Sequence, residues 1–417
     1  MSIPVSKKAF TRFSEVKLDS LLEVTKAINN NHSIEQLFEI FTDILQNKLR
    51  ISKFILFINE HSGWRCALKN GVEEDDISIN VERDLLPIKE INAVNFPANT
   101  PINFHENTEE KNIFEIVIPV YHKTFPLAYL LIGDSDDTRE IISPSLKHLN
   151  FIQTLASIIV VAIENKKLAK ENIRQAAVKK ELELASHMQA MLFPRTLPSN
   201  QKIDSAAYYL PHQQVGGDYY DFIWLNENEL AFCVADVSGK GVSAALLMSN
   251  FQANLRILIN HTNSLVDLVK QLNCNVMSNA KGEKFITFFI AKYNFKSRVL
   301  TYVNAAHNPP LMLNGTNVVA LEKGCTGLGM FDEIPCIEEG SIVLNEASTI
   351  MCYTDGLTEL ENEEGEEFGM ERLVEVLKKF DDSSMANLNA QIMNEAINHK
   401  KKQPYIDDIA LFSIKLY

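Results

Sequence analysis

Residues 229–249 read ELAFCVADVSGKGVSAALLMS. The apolar run 229–235 is made of β-forming residues and predicts a strand. It delivers Asp236 at its end, where a tight turn, DVSG, begins. Gly239 and Gly241 let that turn precede a helix expected over 242–259, with small residues packing closely near its start. A carboxylate at a strand end is held on a rigid element and directed to one rim of a sheet.

Three further aspartates repeat the arrangement: Asp218 in GGDYYDF, Asp355 in YTDGLTE and Asp407 in YIDDIALF, where Asp408 is adjacent. Met alone, an aspartate before glycine, such as Asp355, is a turn residue. Four converging carboxylates instead make an oxygen-rich site, which suits Mg²⁺ or Mn²⁺ and not Zn²⁺. That constellation points to metal-assisted hydrolysis of a phosphate ester. Strands are expected over 285–293, 299–305, 310–313, 349–354 and 409–416, and helices over 265–279, 370–380 and 386–399. The fold class is therefore α+β, with an antiparallel sandwich and helices outside it. Gly216 and Gly217 are expected to provide backbone freedom. His307, in AAHNPP, is expected to be structural and not a substrate contact.

GGDYYDF, VADVSGKGVSAALLMS, NAAHNPPLML, YTDGLTE and YIDDIALFSIKL occur in that order, and HMQAMLFPRTLP precedes them. The set resembles the SpoIIE family, a bacterial branch of the metal-dependent PPM serine/threonine protein phosphatases. The resemblance implies a PPM-type antiparallel β-sandwich flanked by helices over 196–417, holding two Mn²⁺ or Mg²⁺ ions. Asp236 would bridge the ions, and the Val237 carbonyl would bind one of them. Asp355 and Asp407 would complete one shell and Asp218 would serve the other, with Asp408 an alternate ligand or an outer partner. Between them the ions would activate a water for in-line attack on phosphorus. The implied substrate is a phosphoserine or phosphothreonine on a protein, a STAS-domain anti-anti-sigma factor in partner-switching regulation. The chain has Ala306 where the family often has Gly, and Ala410 where it often has Thr or Ser.

Toward the N-terminus, Ile34, Leu37, Phe38, Phe41, Ile44 and Leu45 make a helical stripe, with Ser33 and Gln36 as a capping box. Strands follow over 53–59, 116–121 and 127–132, then a closing helix from Ser145. The order of FEIFTDILQNKL, KFILFINEHSGW and EIVIPVYHKTFPLAYLLIG is similar to a GAF domain, here residues 18–161. Such a sensor implies a small-molecule ligand or a role in dimerisation alone. Residues 151–192 hold neither Gly nor Pro and carry apolar residues at 3-4 spacing, which shifts after Ala176. A coiled-coil linker, 162–195, and a homodimer through it are expected. Its break comes at Pro194 and Pro198.

The formal charge, −14, disfavours nucleic acid and anionic membranes as partners. No signal peptide or membrane span is expected, and the expected location is cytoplasmic. The six cysteines form no CxxC pair; Cys233 and Cys352 lie in strand-like runs and read as buried thiols. GGDYYDF also resembles the GGDEF signature of diguanylate cyclases, but Tyr219 replaces its acidic residue and that fold leaves the other aspartates unexplained. A non-catalytic reading stays open: a GAF dimer carrying a degenerate phosphatase as a binding module.

Overall fold

The computed structural model describes residues 7–60, 63–72, 79–93, 114, 116–133, 144–262 and 264–417. Contacts divide the chain into two units, Met1–Ala176 and Ala177–Tyr417. The division falls inside the stretch 162–195 expected as a linker.

The first unit opens with helices α1 (Lys7–Asn29) and α2 (Ile34–Asp43). Ser33 and Gln36 close the capping box at α2. The apolar stripe outlasts the α-helix: Ile44–Lys48 is a π-helical turn, and it keeps Ile44 and Leu45 buried. Strands β1 (Lys53–Glu60), β2 (Gly63–Asn70), β3 (Asn92–Ala93), β4 (Ile116–His122) and β5 (Phe125–Gly133) form one antiparallel sheet, ordered β2-β1-β5-β4-β3. Alternation along the strands divides the core. Leu56, Ile58, Leu130 and Ile132 pack with Phe41, Ile152 and Ile159, whereas Ile55, Tyr129 and Leu131 pack with Val81, Leu85 and Phe114.

After a short α3 (Pro144–Lys147), helix α4 (Leu149–Ala190) runs for 42 residues. Ile152, Leu155, Ile159 and Ile163 are buried near its start. Farther along, Leu168, Ile173, Val178, Leu184 and Met188 are exposed. Among the described residues no helix is long and apolar enough to cross a membrane.

The second unit packs two sheets face to face. The first contains β7 (Tyr219–Asn226), β8 (Glu229–Val237), β9 (Ile286–Asn294), β10 (Val299–Ala305), β13 (Gly324–Cys325) and β14 (Gly340–Val343). The second contains β6 (Ile203–Leu210), β11 (Leu311–Asn314), β12 (Asn317–Ala320), β15 (Ser348–Tyr353) and β16 (Ile409–Leu416). All pairs are antiparallel except β10 with β13. On β8, Leu230, Phe232 and Val234 meet Ile350, Cys352, Phe412 and Ile414 of the other sheet. Ala231, Cys233, Ala235 and Val237 face α5 (Val242–Leu258) and α6 (Leu265–Ala280). The outer face of the second sheet, including Met351, Tyr353 and Leu411, is covered by α8 (Gly369–Lys379) and α9 (Met385–Lys400); the four-residue α7 (Asp355–Thr358) precedes them. Period-two burial thus yields four layers, helices–sheet–sheet–helices. Cys233 and Cys352 are buried free thiols, as their strand-like context predicts.

Candidate active site

Strand register delivers the aspartates in pairs. Tyr219 lies opposite Ala235, which puts Asp218 beside Asp236 at the rim of the first sheet. Tyr353 lies opposite Leu411, which carries Asp355 and the Asp407–Asp408 pair to the rim of the second. Two local details differ from the sequence-based expectation. Asp236 is still within β8, which runs through Val237, so the turn starts at Ser238. The strand expected to run to Thr354 and end at Asp355 stops at Tyr353, and Asp355 opens the short helix α7. Gly239 (φ 86°) and Gly241 (φ 75°) are left-handed, as the turn into α5 requires.

Gly216 and Gly217 need their missing side chains for a different reason than backbone freedom. Neither has a positive φ. A Cβ on Gly216 would collide with the Tyr209 hydroxyl and the Asp408 carboxylate, and one on Gly217 would lie 2.9 Å from the Val237 carbonyl oxygen. The loop before Asp218 therefore lies directly against Val237 and Asp408.

Hydrogen bonds join the two rims. The Thr354 hydroxyl donates to Asp218 Oδ2 at 2.7 Å and accepts from the Ala410 N–H at 2.8 Å, with Thr354 fully buried. Asp408 accepts from His212 N–H at 2.7 Å through Oδ1 and from Gly217 N–H at 2.6 Å through Oδ2. Both oxygens of this buried carboxylate are committed to holding the 212–217 loop. Asp407 differs: Oδ2 lies 2.8 Å from Lys240 Nζ, and the side chain is 38% exposed.

The electrostatics follow from crowding. Burial, then repulsion from Asp236, pushes the Asp218 carboxyl well up, against the hydrogen bond from Thr354. Burial, then Asp355, pushes Asp236 up to about 7. Asp355 is raised by burial and by Asp407, while the Gly356 N–H and Lys240 work against the shift. Crowded carboxylates repel one another, and an all-oxygen donor set fits divalent Mg²⁺ or Mn²⁺. Among the described residues, no three carboxylate, imidazole or thiol groups stand as a ready-made metal cage. The protein's own groups take up the oxygens: Thr354 on Asp218, Lys240 on Asp407, backbone N–H groups on Asp408.

His307 lies inside the fold at 4% exposure, and burial lowers its pKa to about 4, which leaves it neutral. Its Nδ1 meets the Thr287 hydroxyl at 2.9 Å, and Thr287 lies opposite Asp236 in the sheet. It braces the strand behind the site.

Several contributors escape sequence reasoning. Thr354 carried a weak signal, its place just before Asp355. Gln189, on the last turn of α4, holds Gly216 through a side chain that no motif marks. Asp221 is fully buried and takes both Nε (2.8 Å) and Nη2 (2.9 Å) of Arg256 along with the Tyr219 hydroxyl, which ties β7 to α5.

Comparison with known proteins places the site in context. Residues 226–417 match the family model described as Stage II sporulation protein E (SpoIIE). The chain is similar to phosphoserine phosphatase RsbU of Bacillus subtilis, 29% identical over 205 residues that cover 48% of this chain and 61% of RsbU. It is also similar to protein IcfG of Synechocystis sp., 26% identical over 292 residues that cover 62% of this chain and 45% of IcfG. The chain thus spans about half the length of these relatives. Among solved structures, the SiaA-PP2C domain of Pseudomonas aeruginosa aligns with a TM-score of 0.53 at 19% identity, over 58% of this chain and 99% of that domain. That likeness is one of fold.

Proposed function

From the match of residues 226–417 to the SpoIIE family model, we propose that this chain is a metal-dependent protein serine/threonine phosphatase. The observation that carries the proposal is the delivery of two aspartate pairs, one from each sheet, to a rim where burial and neighbouring carboxylates raise Asp218, Asp236 and Asp355. Asp218, Asp236, Asp355 and Asp407, with the Val237 carbonyl, are the groups that would hold two Mg²⁺ or Mn²⁺ ions. Bound there, the ions would supply an activated water and neutralise charge on the phosphoryl group. The protein's part is positional. β8 and the start of α7 fix Asp236 and Asp355, Thr354 turns Asp218 toward its neighbour, and Asp408 holds the 212–217 loop in place. Burial of Asp218 and Asp236 keeps bulk water away, which strengthens each charge interaction.

The substrate we favour is a phosphoserine or phosphothreonine on a STAS-type anti-anti-sigma protein, in line with the phosphoserine phosphatase name of RsbU. Residues 18–161 are assigned as a GAF-like sensor that binds a small molecule or serves dimerisation. The exposed Leu168, Ile173, Val178, Leu184 and Met188 support a homodimer through α4 acting as a coiled coil. The fold of the site, not its net charge, is what would recognise the substrate, and nucleic acid and membranes remain disfavoured partners at a charge of −14.

The test is hydrolysis of p-nitrophenyl phosphate and of a serine-phosphorylated STAS protein by the full chain. It is run with Mn²⁺, with chelator, and with Asp236→Asn. Metal-dependent turnover lost in the variant supports the proposal. Metal binding without turnover on either substrate favours the binding-module reading.

A further inference from the structure

Lys240 stands on the turn between β8 and α5, four positions after Asp236. Its flanking residues Gly239 and Gly241 are both left-handed, so the turn has a backbone shape that few other sequences adopt. The base of the turn is fastened: Lys284 Nζ donates to the Ser238 carbonyl at 2.8 Å, and the Phe285 N–H donates to Ser238 Oγ at 2.9 Å. From this fixed base the Lys240 side chain reaches the segment before β16. Its ammonium donates to the Ile406 carbonyl and lies 2.8 Å from Asp407 Oδ2. A protein cation therefore already sits on Asp407, whose side chain is 38% exposed.

We propose that Lys240 is a tethered counter-ion, which neutralises Asp407 until a divalent cation arrives and must leave for that cation to bind. The inference rests on the metal reading of the cluster. Three features support an exchangeable partner over a permanent brace. The ammonium is a point charge on a flexible four-carbon stem, so it can swing away without moving the turn. The pair is open to solvent, at 42% and 38% side-chain exposure, so the attraction is screened. By contrast, Asp408, the neighbouring carboxylate, is buried and held by two backbone N–H groups that cannot leave. Of the two adjacent carboxylates, Asp407 is thus the one whose partner can leave. A divalent ion carries twice the charge of the ammonium and would relieve more of the repulsion around Asp236 and Asp355, where Lys240 offsets only part of the crowding at Asp355.

The experiment is direct Mn²⁺ binding to the full chain, followed by electron paramagnetic resonance of the free ion, for the wild type, Lys240→Gln, Lys240→Arg and Asp407→Asn. Thermal unfolding in chelator checks each fold. Removing a screened competitor is expected to tighten Mn²⁺ binding by about twofold to fivefold in Lys240→Gln. Lys240→Arg stays near the wild type, and Asp407→Asn binds more weakly. Raising the salt concentration narrows the gap between wild type and Lys240→Gln. Wild-type or weaker affinity in a folded Lys240→Gln overturns the inference and leaves the metal site standing. If Lys240→Gln does not fold, Lys240→Met takes its place, and wild-type or weaker affinity in that folded, uncharged variant overturns the inference instead. A wild type that binds no Mn²⁺ removes the metal reading and the inference together.

Discussion

Both polar atoms of the Gln189 side chain engage one residue, Gly216. Nε2 donates to the Gly216 carbonyl at 2.7 Å, and Oε1 accepts from its N–H at 3.2 Å. Gln189 is 7% exposed, so neither backbone group has water as a substitute. Two residues later comes Asp218. The last turn of α4 is therefore attached to the loop that carries a site aspartate.

Gln189→Leu keeps the volume and removes both hydrogen bonds. The stranded Gly216 N–H and C=O are expected to cost about 1–3 kcal/mol. Thermal unfolding of the full chain measures that loss. Mn²⁺ affinity should fall alongside it, because Asp218 loses its fixed approach. A variant with wild-type stability and affinity would show that the contact orders nothing.

Thr354 is the second attachment. Its hydroxyl sits between Asp218 Oδ2 and the Ala410 N–H, and its only freedom is rotation about one bond. Thr354→Val is nearly isosteric and removes the orienting bond. Loss of such an outer partner typically weakens metal binding about 10–100-fold. Thr354→Ser should restore most of it. Failure of Ser to rescue would place the effect in packing of the methyl group and not in the hydroxyl.

The raised carboxyls give the metal-free chain a particular pH dependence. Asp236 rises to about 7 from an ordinary value of 3.8, mainly through burial. Below about pH 4 the folded and unfolded chains both hold this proton. Between about pH 4 and about pH 7 the unfolded chain gives it up and the folded chain keeps it. Stability in chelator therefore falls as pH rises through that window. Melting temperatures measured with chelator from pH 5 to pH 8 should decline, and Asp236→Asn should flatten the decline. Mn²⁺ needs the deprotonated carboxylates, so the melting-temperature gain it produces should grow over the same range. A chelated protein whose melting temperature is level across this range would contradict the burial argument.

Much of the second unit is legible because its signals are local. The continuous apolar run of β8, buried on both faces, and the 3-4 spacing on α8 and α9 each report surface that must be buried. The aspartates at strand ends are legible for the same reason, since register alone brings Asp218 to Asp236. Ala306 shows how a departure becomes physical: it stands where the resembled family often has Gly, and its φ is 54°, a left-handed angle that costs any residue with a Cβ. Contacts between distant segments are not legible. Nothing near Gln189 indicates that it meets Gly216, and nothing in DVSGKG indicates that Lys240 reaches Asp407. The π-helical turn Ile44–Lys48 was also invisible, because the apolar stripe continues through it and only the hydrogen-bond pattern changes.

The adjacent carboxylates Asp407 and Asp408 should separate by experiment, although the sequence leaves their roles open. Asp408 is 5% exposed and accepts from the His212 and Gly217 N–H groups, one on each oxygen. Asp408→Asn replaces one acceptor with an NH₂ group facing an N–H donor. That mismatch, with loss of the charge, is expected to destabilise the chain by about 2–3 kcal/mol. Asp407 has a different environment: one oxygen meets Lys240 and the other accepts from the Asp408 N–H at its own turn. Asp407→Asn should leave the unfolding free energy in chelator within about 0.5 kcal/mol of wild type, as surface substitutions do. It should nevertheless abolish most of the stabilisation that Mn²⁺ confers. Melting curves of the two variants with and without Mn²⁺ test both expectations together. If Asp408→Asn keeps its chelated stability and loses the Mn²⁺ response instead, the two roles are exchanged, and Asp408 is the ligand.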